Sequence, residues 1–127
     1  MAKFLTPLIV QDVSDSVWRL HAPLCYQSDI LGEITVPSGF YTDLASVPRL
    51  PIVYLQWGDR SHYEAVIHDY LYRRDSVPQA TFKAANRVFL EAMVVRGKPW
   101  YIRWPMYWGV CLGGRGSYHK KRVGDKI

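Results

Sequence analysis

Asp43, Glu64, His68 and Asp69 stand out in this sequence as clustered side chains with the chemistry to move protons or hold a metal. Imidazole and carboxylate are the nitrogen and oxygen donors that a divalent ion such as zinc takes, and histidine also serves as acid or base near neutral pH. With Asp43, His68 and Asp69 as ligands and Glu64 as general base, the chemistry would be metal-assisted hydrolysis. The competing reading gives the same residues structural work, with Asp43 or Asp69 capping a helix end or pairing with Arg49, because ion-pair networks gather the same residue types. Neighbouring residues on a helix point about 100° apart, so His68 and Asp69 need not share a ligand. Ser46 lacks the glycine-flanked strand-turn-helix elbow of an activated nucleophile. His21 and His62 stand alone and read as structural or surface residues.

The elements that would position these groups follow from periodicity and punctuation. A helix starts near Asp59 or Ser61, either able to cap free amides, and runs to about Arg73. Its Tyr63, Val66, Ile67, Tyr70 and Leu71 make one apolar stripe. Glu64, His68 and Tyr72 share an adjoining face with Asp69 beside them, which predicts a polar group at the border of the core. Ser76-Val77-Pro78-Gln79 has the form of a capping box with proline in the first turn, opening a second helix that ends at Arg96 before Gly97. Phe82, Ala85, Phe89, Ala92 and Met93 are its buried stripe, and Asn86 points a polar side chain toward that core. Pro99 opens a third segment that Pro105 is expected to divide into a turn around Trp100 to Trp104 and a short helix from Met106 to Leu112.

Ahead of these helices the chain reads as sheet. Leu8-Ile9-Val10 and Val17 to His21 flank a turn-rich link at 12–16 and form a hairpin. Leu24-Cys25-Tyr26 and Ile30 to Val36 follow, before the turn Pro37-Ser38-Gly39. Pro48 and Pro51 bar a continuous helix through the connection, placing Asp43 on a strand end or loop. The fold class is α+β: an N-terminal antiparallel β-meander followed by two or three helices, in a single domain. That domain spans 1–114, with a basic tail at 115–127.

At 127 residues the chain can bury one core, and its 21% charged content is that of an ordinary globular protein rather than a disordered one. The net charge of +5 is concentrated in the tail, where Arg115, Lys120, Lys121, Arg122 and Lys126 face only Asp125. Such a tail can meet nucleic acid, an acidic protein surface or anionic lipid. Cys25 and Cys111 lack metal-ligand spacing and read as buried free thiols. No apolar run reaches the roughly 20 residues of a membrane span and no signal peptide develops, so a soluble cytoplasmic product is expected. Trp100, Trp104 and Trp108 fall on one helical face beside Tyr107. That spacing favours core packing plus a protein interface over a base-stacking platform.

The run Phe40-Tyr41-Thr42-Asp43-Leu44-Ala45-Ser46-Val47-Pro48-Arg49, then Ala65-Val66-Ile67-His68-Asp69-Tyr70-Leu71-Tyr72, then Phe89-Leu90-Glu91-Ala92-Met93 and Met106-Tyr107, resembles a family of short proteins from tailed bacteriophages and prophages. It is catalogued as domain of unknown function 1353. The likeness covers about residues 30–113 and implies a phage origin without an activity. The family pattern often has an aspartate in the second helix where this chain has Asn86, a poorer metal ligand, so a metal centre here would be weakened or lost. The expectation is a virion structural protein of tail or baseplate, without cofactor, and the sequence leaves open whether it is an enzyme. It would dock on other virion proteins through Trp100, Trp104, Tyr107, Trp108, Arg115, Lys120, Lys121 and Arg122. The alternatives are a metal-dependent hydrolase of the cell-wall peptidase type acting in phage entry or lysis, with zinc or another divalent metal, and a nucleic-acid-binding accessory protein, which is not favoured.

Overall fold

The computed structural model describes residues 2–14, 17–42, 62–113, 118, 119 and 123. Among the described residues six short strands precede three helices: β1 (Lys3–Phe4), β2 (Val10–Ser14), β3 (Val17–Leu20), β4 (Leu24–Ser28), β5 (Gly32–Val36), β6 (Tyr41–Thr42), α1 (His62–Leu71), α2 (Phe82–Val95) and α3 (Trp100–Gly113). The strands form two three-stranded antiparallel sheets, ordered β1-β4-β5 and β2-β3-β6. This is a small α+β fold with the sheets first and the helices after.

The expected hairpin is β2–β3, paired from Val10 with Leu20 to Ser14 with Val17. Its link is shorter than the sequence suggests, because β2 runs on through Ser14 and absorbs an irregularity between Asp12 and Ser14, where one extra residue is accommodated. Leu24, Tyr26 and Ser28 alternate inward along β4, and Ile34 and Val36 do the same on β5. Their apolar members pack on Val66, Ile67 and Leu71 of α1 and on Ala85, Val88 and Ala92 of α2. Each such fully buried aliphatic or aromatic side chain contributes about 1.5–3 kcal/mol.

Two helix boundaries differ from expectation. The second helix begins at Phe82, capped by Thr81, whose hydroxyl accepts from the Ala84 amide at 3.0 Å. Ser76 does not cap it: its hydroxyl donates to the Pro78 carbonyl, and the Val77–Pro78 bond is cis. Thr81 also starts the uninterrupted apolar period, whereas Ser76 is followed by five residues that do not keep it. The third helix is continuous from Trp100 to Gly113 with Pro105 inside it. Proline removes the amide that would bond the Tyr101 carbonyl, and Tyr101 is 54% exposed, so water can satisfy that carbonyl at modest cost. Met106 and Val110 then bury against Ala65, Phe89 and Met93 and hold the helix down. Gly97 behaves as expected, taking φ +79° where the chain leaves α2.

Of the basic segment, Tyr118, His119 and Val123 are described. The Tyr118 ring meets Tyr72 and Phe82 edge-on, and its hydroxyl donates to the Ala80 carbonyl. The His119 amide bonds the Tyr72 carbonyl at 2.7 Å, and the Val123 amide bonds Asp75 Oδ1 at 2.7 Å. The chain after α3 therefore returns to the link between α1 and α2. Arg115, Lys120, Lys121 and Arg122 lie outside the described residues.

Candidate functional site

Helix α1 presents Glu64 and His68 one turn apart, with Tyr72 a turn further on, and each side chain meets a partner from elsewhere in the chain. The His68 Nε2 lies 2.7 Å from Asn86 Oδ1, and the Tyr72 hydroxyl donates to the same oxygen at 2.6 Å. An amide oxygen only accepts, so Nε2 carries the imidazole proton. Asn86 Nδ2 in turn lies 3.7 Å from Cys111 Sγ, which brings α3 into the network. His68 is 1% exposed, and burial pushes its pKa down to about 4, partly opposed by the bond to Asn86. It is a neutral imidazole over most of the pH range.

Glu64 lies in a separate pocket of the same face. Its Oε1 is 3.2 Å from Lys98 Nζ and 3.8 Å from Arg96 Nε, whereas its buried Oε2 has no hydrogen-bond partner among the described residues. Desolvation raises its pKa against the pull of Lys98 and Arg96. Arg96 in addition lies 4.2 Å over the Tyr63 ring. Both Glu64 and Lys98 are almost wholly buried, so this is an ion pair inside the protein, of the kind that is expensive to break from one side.

The polar face of α1 is thus deeper than the border position its spacing suggested. Asn86 from α2 and Lys98 from the α2–α3 connection cover it, supplying the partners without which burial would be prohibitive. Asp69 diverges from His68, as neighbouring helical residues do. It is half-buried and accepts a short bond from the Thr42 hydroxyl of β6. Asp43 follows Thr42 directly in sequence, and Asp43, Ser46 and Arg49 all lie outside the described residues.

A divalent metal would need several of these donors to converge. Among the described residues no group of three His, Cys, Asp or Glu side chains does so, and the His68 Nε2 proton is turned to an amide oxygen. Asn86 receives two donors there, which suits a structural hub. Cys25 and Cys111 are free thiols, half-buried rather than buried, because one faces the outer side of β4 and the other the rim of α3. Lys98 and Glu91 were not foreseen as partners. Glu91 binds the Tyr26 hydroxyl at 2.7 Å and the Asp29 amide at 3.1 Å, tying α2 to the β4–β5 turn.

Helix α3 supplies the other candidate surface. Trp100, Trp104, Trp108 and Leu112 recur every four residues and are 67%, 39%, 59% and 89% exposed. Trp104 lies 6.2 Å from Trp108 and 5.8 Å from Tyr107 between ring centres, so the middle of the row is in contact. Tyr107 itself is half-buried, turned toward the cluster of Met106 and Val110. No helix among the described residues is long and apolar enough to cross a membrane.

The model of the family described as "Protein of unknown function (DUF1353)" matches residues 18–110, from β3 well into α3. No curated protein and no solved structure matches the chain. The matched span takes in His68, Asn86, Lys98 and the three tryptophans of α3, and on that extent the chain belongs to the family of unknown function DUF1353.

Proposed function

We propose that this protein is a structural component of a bacteriophage virion, in the tail or baseplate, and that it docks on a neighbouring virion protein through α3. The observation that carries the reading is the row Trp100, Trp104, Trp108 and Leu112, exposed on the side of α3 opposite Met106 and Val110. A lone globular protein seldom displays so much contiguous apolar surface, and tryptophan is the side chain that most often anchors a protein interface.

The chemistry around the row favours a protein over an anionic partner. Helix α3 has one charged residue, Arg103, and its guanidinium is already bonded to the Lys98 carbonyl at 2.8 Å. A surface that tracks phosphates interleaves free cations with its aromatics. The polar group on α1 supports the same reading: a hydrolase needs imidazole and carboxylate open to substrate, and His68 and Glu64 are 1% and 0% exposed. The resemblance to phage and prophage proteins supplies the setting.

The test is incorporation. Virions assembled with the Trp104→Ser, Trp108→Ser double variant are purified, and the protein is quantified by mass spectrometry beside a folding check by circular dichroism. The reading expects a fold like the parent's and loss of the protein from particles. Incorporation of the variant at the parental copy number, or absence of the parent protein itself from particles, overturns it. Metal analysis of the parent chain adds a second arm: about one tightly held zinc per chain would direct attention to the hydrolase alternative.

A further inference from the structure

Among the described residues strand β5 forms one edge of its sheet, and the pattern of bonds across β4 fixes which of its backbone groups face outward. The Cys25 carbonyl accepts from the Leu5 amide at 2.9 Å, and the Cys25 amide donates to Thr6 Oγ1 at 2.9 Å, so both groups of Cys25 are spent on the β1 side. Strand residues alternate, which leaves Leu24, Tyr26 and Ser28 to bond β5 through their register partners Val36, Ile34 and Gly32. The amides and carbonyls of Glu33 and Thr35 are therefore directed away from β4. They have no backbone partner among the described residues.

These two residues border a groove of about 450 Å³ whose other lining is Leu31, Tyr70, Val77 and Pro78. The far wall is fixed in place. The Tyr70 hydroxyl accepts from the Val77 amide at 3.0 Å and donates to the Val77 carbonyl at 3.2 Å, which consumes both backbone groups of Val77. Pro78 has no amide to offer. One wall of the groove thus presents an unused hydrogen-bonding ladder, and the other presents apolar side chains, with Val77 74% exposed. Glu33 adds a carboxylate with no ion pair among the described residues.

We infer that β5 is a docking edge for an extended segment of a partner protein, which adds as a further strand between β5 and Val77–Pro78. The demand on the occupant is specific. Alternating amide and carbonyl groups at strand spacing are what an extended backbone supplies, and the residue opposite Glu33 shares its outer face, where a basic side chain complements it. The residues on either side of that position turn to the helical side of the sheet, toward Tyr70, Val77 and Pro78, and are apolar. The segment recognised is apolar-basic-apolar. This edge is separate from the α3 row, and the inference does not rest on the docking proposed there.

The experiment is amide hydrogen exchange by NMR on the full chain, alone and with a capped pentapeptide alternating valine and lysine. In the free protein the Glu33 and Thr35 amides exchange fast while Ile34, bonded to Tyr26, exchanges slowly. Saturating peptide slows Glu33 and Thr35 by about tenfold or more. Thr35→Pro removes one outward amide without costing a bond to β4 and abolishes the protection, and Glu33→Lys shifts preference to the valine–glutamate peptide. Slow exchange at Glu33 and Thr35 in the free protein overturns the inference, as does unchanged exchange at saturating peptide or protection that survives Thr35→Pro. Protection that grows with protein concentration alone identifies a second copy as the occupant and overturns it too.

Discussion

Helices α1 and α3 invert the usual arrangement in opposite senses. Helix α1 hides Glu64 and His68, and α3 displays Trp100, Trp104, Trp108 and Leu112. The difference lies in who supplies the match. Among the described residues, Glu64 Oε1, His68 Nε2 and the Asp69 carboxylate on α1 are met by side chains from the α2–α3 connection, α2 and β6, and one carboxylate oxygen of Glu64 is not met. On α3, Trp104 meets Trp108 and Tyr107 of the same helix. Buried polarity that is satisfied within the chain speaks for stability, whereas exposed apolarity left unsatisfied within it speaks for a surface completed by something else.

The strongest way to break this contrast is to strand the buried charge. Lys98→Met leaves the Glu64 carboxylate without its nearest cation and is expected to cost about 3–5 kcal/mol in urea unfolding at pH 7. Because the Glu64 pKa is already raised, the loss should shrink as acidification protonates the carboxyl. A cost that is small and flat with pH would show that α1 does not depend on this pair.

His68 gives the next largest effect, and it is a matter of pH. Its folded pKa of about 4 lies below the ordinary 6.5, so the unfolded chain takes up the proton first. Stability from this group is complete above pH 6.5 and is lost as pH falls toward 4, by on the order of 3 kcal/mol. Glu64 works the other way, since a raised carboxyl pKa lets the native state take up a proton before the unfolded chain does. A His68→Gln variant isolates the two, and its stability should fall less steeply between pH 6.5 and 4 than that of the parent.

Asn86→Ala should cost about 2 kcal/mol, because it leaves the Tyr72 hydroxyl and the His68 Nε2 proton buried and unmatched. Asn86→Asp sharpens the point: a carboxylate beside His68 favours the imidazolium, so the histidine pKa read by NMR should rise from about 4. At the small end, Trp108→Ser on the exposed row should change stability by no more than about 0.5 kcal/mol. A loss of several times that would mean the row serves the fold rather than a partner.

Much of this architecture was legible where a single local rule decides. The stripe Val66, Ile67, Tyr70 and Leu71, the stop at Gly97 and the inward aim of Asn86 each follow from spacing on one element. Rules that conflict locally misled: Ser76 and Pro78 look like a helix start, and Pro105 looks like a break, yet packing of Met106 and Val110 carries α3 through it. What no spacing reveals is pairing between elements, as in Lys98 with Glu64 or Glu91 with Tyr26, because those contacts exist only once the helices have been laid on the sheets. The depth of His68 was hidden for the same reason.

The tryptophan row also makes the protein its own optical reporter. Three of the five tryptophans sit on α3, all of them open to water, with Trp104 and Trp108 close enough for their indoles to share excitation. Emission from these three indoles is therefore set by polar surroundings, and seating the helix against a neighbour would shift it to shorter wavelength without any attached dye.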